Sequence, residues 1–318
     1  MTRPGETPVI APSLHVAIIV RHAIRVVMEM YLGIDGGGSH TRARLVSDAG
    51  DVLGYGEAGP ANGPAGLPQA LQAIEDAWSQ AVTEAGLTPA QVSSIHAGMG
   101  IAGLNRRGFL DGLKAHAFPF ETTAFASDAA IANLGAHGGG DGAIVVVGTG
   151  SIGFARVGEE IFTIGGYGFP VSDEGSGAEM GLRAIRRSLW ARDGRIPHTR
   201  MTQEVLDRFH GSAGEIVDWT AHATPADYAA FAPLVLAHAI EDDANADLIV
   251  LESARRIEAI IRTMLERGAP YCCLMGGMAN AMRDWLAPSI KERLRDPLGD
   301  PLDGAIHLAR TRAEKSAG

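Results

Sequence analysis

The sequence predicts an α/β protein made of two similar domains that face each other. The first indication is a pair of glycine-rich loops, at residues 35–39 and 148–151, each lying between two apolar runs of strand character. The loops are 112 residues apart (148 − 36 = 112), so the pattern is a candidate duplication. A further β-like stretch follows each loop, at residues 51–58 and 159–166, and helical and strand segments come after it in both halves.

Length, charge and cysteine content narrow the class of protein. A chain of 318 residues can form two domains, each with a full core. Its formal net charge of −10 argues against a nucleic-acid or anionic-membrane partner, because both favour clustered Lys and Arg. The two cysteines, Cys272 and Cys273, are neighbours in an apolar run. This excludes a disulfide framework, favours a core position for both and fits a cytoplasmic protein.

Residues 1–29 are expected to form an extension outside the folded domains. They begin with a polar, Pro-containing stretch and continue with a short basic and apolar one. The uninterrupted apolar run at residues 16–20 ends at Arg21, which is too short for a signal peptide or a membrane span. A start codon assigned upstream of Met28 or Met30 would explain such an extension.

Apolar spacing predicts the elements that lie between and after the loops. The segments are helices at residues 66–86, 129–137 and 246–268, and strands at residues 92–103, 122–128 and 270–281. Ligands of open α/β sheets bind at the carboxyl ends of strands. Polar residues that follow these strands are therefore candidates for a site.

The first loop has the composition of a phosphate-binding turn. Gly36, Gly37 and Gly38 lack Cβ atoms, so their backbone N–H groups can approach an anion closely. The adjacent Asp35 would repel a polyphosphate unless a cation lay between them, which favours a metal-bound nucleotide. A glycine turn that only reverses a hairpin is an equally good interpretation of this loop taken alone.

The second loop also matches a dinucleotide fingerprint, but its context differs. Residues 148–153 fit G-x-G-x-x-G, and Asp173 follows about twenty residues later. That fingerprint requires a helix to start at the loop, whereas the next residues are β-type and contain glycines without helical period. A second phosphate loop is the better interpretation.

Asp128 is the candidate catalytic residue. It ends the predicted strand at 122–128 and precedes a predicted helix, so one alternative is a helix N-cap. The other is a general base that takes the proton of an attacking hydroxyl, since phosphoryl transfer demands little early deprotonation. Both roles are compatible.

Further carboxylates and an amide lie in glycine-rich segments. Asp173, Glu174 and Glu179 surround two glycines just before a helix, where a helix dipole would stabilise them. Paired carboxylates also suit the vicinal hydroxyls of a sugar. Asn62 lies in a Gly/Pro-rich loop and is either a turn residue or another sugar contact.

Taken together, five motifs in order resemble those of the BadF/BadG/BcrA/BcrD ATPase family, within the actin-like, Hsp70 and sugar-kinase superfamily. They are IDGGGS (34–39), SDAA (127–130), GTGS (148–151), SDEGSG (172–177) and LMGGMA (274–279). Residues 169–189 and 193–199 more narrowly resemble bacterial glucosamine kinases, which are close relatives of N-acetylglucosamine kinases. The resemblance covers residues 31–310.

The resemblance implies two actin-like (ribonuclease H-like) domains of duplicated topology with a nucleotide cleft between them. The N-terminal domain would comprise residues 30–138 and a returning C-terminal helix at about 303–313. The C-terminal domain would comprise residues 139–302.

Matched motif by motif, the resemblance also implies roles for individual residues. Asp35 would hold Mg²⁺ through water, and Asp128 would accept the proton of the sugar's 6-hydroxyl. ATP would contact Gly36, Gly37, Gly38, Ser39, Thr149, Gly150, Ser151, Gly276, Gly277 and Met278. The sugar would contact Asn62, Asp128, Gly166, Asp173 and Glu174.

The implied activity is ATP-dependent phosphorylation of an amino sugar at its 6-hydroxyl, with glucosamine as the first candidate. N-acetylglucosamine, a related amino sugar such as N-acetylmuramic acid, and a non-catalytic ATP- and sugar-dependent regulator are the alternatives. Related activators of 2-hydroxyacyl dehydratases ligate an iron–sulfur cluster, for which the adjacent Cys272 and Cys273 are poorly suited. The expected partners are ATP and the sugar, with neither nucleic acid nor membrane, and a homodimer is left open.

Overall fold

The structure is a computed structural model that describes residues 29–63 and 66–317. The extension expected at residues 1–29 lies, apart from Glu29, outside the described residues. Among the described helices, none is both long and apolar enough to cross a lipid bilayer.

Ten strands lie in the described ranges. In the first half they are β1 (Met30–Gly36), β2 (Thr41–Ser47), β3 (Val52–Ala58), β4 (Ile95–Ile101) and β5 (Thr122–Ser127). In the second half they are β6 (Gly142–Val147), β7 (Ser151–Val157), β8 (Glu160–Gly165), β9 (Cys272–Met275) and β10 (Leu294–Arg295).

The helices of the described ranges cover the sheets and connect them. The first are α1 (Leu67–Glu84), α2 (Pro89–Val92), α3 (Phe109–Ala115), α4 (Asp128–Ala136), α5 (Gly177–Arg192), α6 (Arg200–Asp207) and α7 (Ala213–Thr220). The remaining ones are α8 (Pro225–Ala229), α9 (Ala232–Ile240), α10 (Ala244–Glu266), α11 (Ala279–Arg283), α12 (Pro288–Lys291) and α13 (Pro301–Ala317).

The strands form two sheets with the same topology. The first has the order β3-β2-β1-β4-β5, and the second has the order β8-β7-β6-β9-β10. In the first sheet β2 pairs antiparallel with both β3 and β1, and β4 pairs parallel with both β1 and β5. In the second sheet β7 pairs antiparallel with both β8 and β6, and β9 pairs parallel with both β6 and β10. The duplication predicted from the two glycine loops is confirmed.

Helix α1 packs against the first sheet through two glycines of β3. A Cβ atom at Gly54 would lie 2.0 Å from the carbonyl oxygen of Ala81, and one at Gly56 would lie 2.0 Å from that of Ala77. The helix presents the small side chains of Ala77 and Ala81 there, and both are fully buried. This close approach allows the apolar face of α1 to pack directly on β3 and β2.

The C-terminal helix α13 packs on the first sheet, although it follows the last strand of the second. Its Ile306 and Ala309 lie in one apolar cluster with Tyr31 of β1 and Val46 of β2. Arg44 of β2 forms an ion pair with Asp300, just before the helix, at 2.6 Å. The chain therefore returns to its first half at its end.

Helix α4 connects the two sheets. It starts at the end of β5 in the first sheet, while Ala132 and Ala136 pack with Ile144, Phe154 and Cys273 of the second. The Asn133 amide donates a hydrogen bond to the Gly142 carbonyl at 2.9 Å. Cys272 and Cys273 are fully buried, as expected of core residues.

We expect Gly304→Ala to lower the free energy of unfolding by about 3 kcal/mol, because an added Cβ overpacks the crossing of α13 and α4. That Cβ would lie 1.8 Å from the carbonyl oxygen of Ile131, so a backbone has to move. Gly214→Ala in α7 is the matched control, since its Cβ meets nothing closer than Ser212 Oγ at 3.6 Å. Urea unfolding measures both, and equal effects would contradict the expectation.

Candidate active site

The first glycine loop is a tight turn between β1 and β2. The Gly37 N–H donates to the His40 carbonyl at 3.0 Å and closes the turn. Gly38 and Ser39 at its tip are exposed. The loop therefore does reverse a hairpin, as one interpretation held, and its open tip also leaves room for an anion at residues 37–39.

Asp35 has a partner that the sequence analysis missed. It lies directly opposite Arg42 in the antiparallel pairing of β1 and β2. Arg42 Nη2 and Asp35 Oδ2 are 2.6 Å apart, and only 16 % of the Asp35 side chain is exposed. Because side chains of directly opposite residues share a face, the hairpin register could have revealed this pair.

Asn62 lies against the first loop. Its side-chain amide donates to the Gly37 carbonyl at 3.4 Å, and that carbonyl also accepts the Ala61 N–H at 3.2 Å. A bridge joins Asn62 to Ala102, just after β4. The buried Asn62 thus helps to fix the loop, and it lies at the carboxyl edge of the first sheet.

Asp128 lies at the same edge. Gly36, Ile101 and Ser127 are register partners across β1, β4 and β5, and Asp128 follows at once as the first residue of α4. Ser127 is the N-cap, because its hydroxyl oxygen accepts the Ala130 N–H at 3.1 Å. The N-cap interpretation of Asp128 is therefore wrong: the neighbouring serine already caps the helix.

The pKa of the Asp128 carboxyl is raised above its ordinary value. Desolvation is the main cause, and the nearby negative charge of Asp35 adds to it, while a hydrogen bond from the Ala129 N–H at 2.9 Å opposes it. The residue itself is exposed to solvent. Asp128 and Asp35 thus influence each other electrostatically.

The second glycine loop is joined to the start of α5. Gly148 N–H donates to the Gly150 carbonyl at 2.9 Å, which closes a turn at the exposed Thr149. The first amides of α5 then donate to loop carbonyls, Gly177 to Gly148 at 2.8 Å and Ala178 to Thr149 at 3.1 Å. This contact fixes the loop between β6 and β7 against a helix N-terminus.

Ser151 forms its hydrogen bonds within the protein. Its hydroxyl donates to the Glu174 carbonyl at 2.7 Å, and its backbone N–H donates to the Asp173 carboxylate. The residue is 4 % exposed. Of the second-loop residues predicted to bind ATP, Thr149 and Gly150 are therefore the accessible ones.

The segment that carries Asp173 is strained and tightly hydrogen-bonded. Asp173 has a φ of 68°, and backbone N–H groups of Ser151, Gly168 and Phe169 donate to its carboxylate. Burial raises its pKa, the nearby Glu174 adds to the rise, and the three hydrogen bonds oppose it. An ionised carboxylate has further lone pairs, so Asp173 can still accept a sugar hydroxyl.

Glu174 follows Asp173 in the chain, and Gly166 follows the last residue of β8. Glu174 accepts a hydrogen bond from the Ser172 hydroxyl at 3.1 Å. Gly166 has a φ of 74°, and a Cβ atom there would lie 2.7 Å from the Ile152 side chain. Only glycine fits this position without strain, which leaves its backbone accessible to a ligand.

The turn after β9 contacts the second loop. Gly276 has a φ of 95°, and a Cβ there would lie 2.4 Å from the Val147 carbonyl oxygen, which also accepts the Met278 N–H at 3.0 Å. An added Cβ at Gly177 would lie 3.1 Å from Met278 Sδ. Gly277 has open space around it. The turn with these three residues, which were predicted to contact ATP, thus lies beside the end of β6, just before the second loop.

Helix α4 connects the site residues of the first sheet with the second sheet. Its end contacts the start of β6, through His137 Nε2 and the Ala143 carbonyl at 2.9 Å. Ala129 and Ala130, at its start, pack against the apolar cluster of Ala132, Ala136, Ile144, Phe154 and Cys273, as does Val146 near the end of β6. Asp128 therefore lies at the opposite end of α4 from the contact with the start of β6.

The carboxylates fit a metal ion that arrives with a nucleotide. Among the described residues, there is no group of three His, Cys, Asp or Glu side chains that could hold a metal alone. Asp35 and Asp128 are hard oxygen donors, and Asp35 is close enough for its negative charge to contribute to the raised pKa of Asp128. Mg²⁺ is commonly held by one or two carboxylates together with substrate phosphates, and this donor set suits it.

Comparison with known proteins gives consistent results. The chain is 38 % identical over 282 residues to the glucosamine kinase GspK of Vibrio cholerae, covering 89 % of this chain and 96 % of that protein. It is 26 % identical over 260 residues to the N-acetyl-D-glucosamine kinase of Dictyostelium discoideum, covering 75 % and 80 %.

A solved structure from Chromobacterium violaceum that carries an N-acetylglucosamine kinase assignment has a TM-score of 0.80 and 36 % identity. The match covers 89 % of this chain and 99 % of that one. Residues 32–309 also match the profile of the BadF/BadG/BcrA/BcrD ATPase family. The duplicated sheets and these matches confirm the two-domain actin-like fold, and the chain belongs to the BadF/BadG/BcrA/BcrD ATPase family.

Proposed function

We propose that this protein transfers the γ-phosphoryl group of ATP to the 6-hydroxyl of an amino sugar, with glucosamine as the acceptor. The observation that supports the proposal is that Asp128 lies at the carboxyl edge of the first sheet, near Asp35, as the first residue of a helix that packs on the second sheet. The 38 % identity to a glucosamine kinase supports this acceptor.

The chain's own groups can perform the phosphoryl transfer. Backbone N–H groups at Gly38 and Ser39, and at Thr149 and Gly150 in the second loop, would hold the phosphates from two sides. Mg²⁺, held through water by Asp35, would neutralise charge on the phosphates. Asp128 would orient the attacking hydroxyl and accept its proton late in the transfer.

The acceptor would lie between Asn62 and the segment with Asp173 and Glu174. An amide and two carboxylates suit several hydroxyl groups, and the carboxylates also favour the ammonium group of glucosamine. Gly166 would let the sugar approach the backbone. N-acetylglucosamine is the second candidate, supported by the names of two relatives. Its amide is neutral, so the charges of Asp173 and Glu174 would then matter less.

An ADP-release assay with ATP and Mg²⁺ tests the proposed activity. Glucosamine, N-acetylglucosamine, glucose and no sugar are compared, and the highest kcat/KM is expected with glucosamine. A preference for N-acetylglucosamine would replace the acceptor but keep the reaction. Sugar-independent hydrolysis, or no ADP with any sugar, would contradict a kinase and favour a regulatory binder.

We expect Asp128→Asn to lower kcat by roughly 10² to 10⁴ with little change in KM, because the amide keeps the size of the side chain but cannot accept the proton. Steady-state kinetics measure this change. Asp111→Asn is the matched control, since Asp111 is an exposed carboxylate in the first turn of α3 and lies outside the proposed site. Near-normal turnover of the Asp128 variant would remove that residue from the role of base.

The raised pKa of Asp128 predicts how activity depends on pH. The base acts when ionised, so kcat/KM should fall as the pH decreases through this raised pKa. The acidic limb should therefore lie above the value of about 3.9 typical of an unperturbed aspartate. A pH profile of kcat/KM between pH 4 and 8, roughly the range in which such groups titrate, measures it. A limb at the ordinary aspartate value would contradict the assignment.

A further inference from the structure

A cavity lined by none of the glycine-loop residues lies between helices α5 and α10. Its volume is about 250 Å³. Three arginines of α5, Arg183, Arg186 and Arg187, line it together with Trp190 and Leu248. The three arginines and Trp190 are spaced so that they share one face of α5.

The charge of one of these arginines is balanced. Arg183 forms ion pairs with Glu179 at 3.0 Å and with Glu252 at 3.8 Å. Arg256 of α10 contacts the same two carboxylates, at 3.6 Å and 3.1 Å. Two arginines and two glutamates thus form a neutral group beside the cavity.

Arg187 and Arg186 have no such balance. Within the described part of the chain, neither forms an ion pair with a carboxylate. Arg187 instead donates from Nε and Nη2 to the neutral Asn245 Oδ1, at 2.9 and 2.6 Å. Burial, followed by repulsion from Arg183, lowers the pKa of Arg187, as expected for a partly desolvated charge without a counter-charge.

The guanidinium of Arg187 is held in place before any ligand arrives. Asn245 is 4 % exposed, and its amide donates to the Pro197 carbonyl at 3.1 Å and to Thr199 Oγ1 at 3.2 Å. These bonds fix Asn245 Oδ1 towards Arg187. A positioned guanidinium loses little freedom when it binds an anion, which favours binding.

We propose that this cavity binds a small organic phosphate monoester. Two unbalanced guanidinium groups match the charge of a phosphate dianion. The planar fork of Arg186, and the N–H groups of Arg187 beyond the two that bind Asn245, suit its oxygens. Trp190 and Leu248, the latter 54 % exposed, supply an apolar wall for the organic part. The volume suits a monophosphate of the size of one ring.

The cavity is connected to the proposed active site through Glu179. Its Oε1 accepts from Arg183, while its Oε2 accepts the Gly175 N–H at 2.6 Å. Gly175 follows Asp173 and Glu174, and α5 begins at Gly177, which contacts the second loop. A phosphate in the cavity would also attract Arg183 and weaken the bond between Arg183 and Glu179. That change would affect the segment that carries Asp173 and Glu174.

Calorimetry with phenyl phosphate tests the binding site on the full chain. We expect saturable binding that Arg187→Gln weakens about 10-fold or more, as for the loss of a charge-assisted hydrogen bond. Arg255→Gln is the matched control, because Arg255 is an exposed arginine of α10 outside the cavity lining, and it should bind like the wild type. Phenol, which lacks the phosphate, should not bind detectably.

Three results would overturn the binding site: no binding by the wild type, equal loss in both arginine variants, or undiminished binding in Arg187→Gln. A change in sedimentation mass of Arg187→Gln with phenyl phosphate binding intact would instead identify this face as an interface between two copies. Circular dichroism of each variant confirms that it folds.

The connection to the active site has its own measurement, which rests on the proposed function. In the wild type and Arg255→Gln, phenyl phosphate should change the KM for the acceptor sugar, and in Arg187→Gln it should not. An unchanged KM in the wild type at saturating phenyl phosphate would overturn the connection while leaving the binding site. Absence of any kinase activity would affect only this part, since calorimetry needs no turnover.

Discussion

The position of Asp128 depends on one constraint: helix α4 is bound by both sheets at once. Its N-terminus continues β5 of the first sheet, and its length packs on β6 and β7 of the second. Gly135 and Gly304 let α13 press against it, because a side chain at either glycine would meet the facing backbone within 2.0 Å. A helix held from three directions has little freedom, so the carboxylate at its first position is fixed relative to the two sheets.

Two ways of fixing a loop are combined in the second half. The carbonyls of Gly148 and Thr149 accept the first amides of α5, so this helix N-terminus stabilises the loop itself rather than a ligand. Ser151 closes the other side, because its backbone N–H donates to the Asp173 carboxylate and its hydroxyl donates to the Glu174 carbonyl. The loop is thus held on both sides, and donors fixed in advance stabilise a transferring phosphoryl group better than mobile ones.

Much of this was predictable from sequence, because strands, glycine loops and apolar helix faces are local patterns. The duplicated sheets and the buried Cys272 and Cys273 are confirmed, while the domain boundaries and the roles of the site residues stay predictions. Arg42 was missed because its partnership with Asp35 depends on hairpin register. The amides around Asp173 come from residues up to 22 positions away (173 − 151 = 22), and only the folded chain brings them together.

The ion pair of Asp35 and Arg42 has a consequence for folding. Asp35 is 16 % exposed at the end of a buried strand, where a lone negative charge would be costly. Arg42 supplies the counter-charge from within the same hairpin, so the first sheet is electrostatically complete without any metal ion. We therefore expect this hairpin to fold without a bound cation at Asp35. Arriving cations would compete with an internal one rather than fill an empty site.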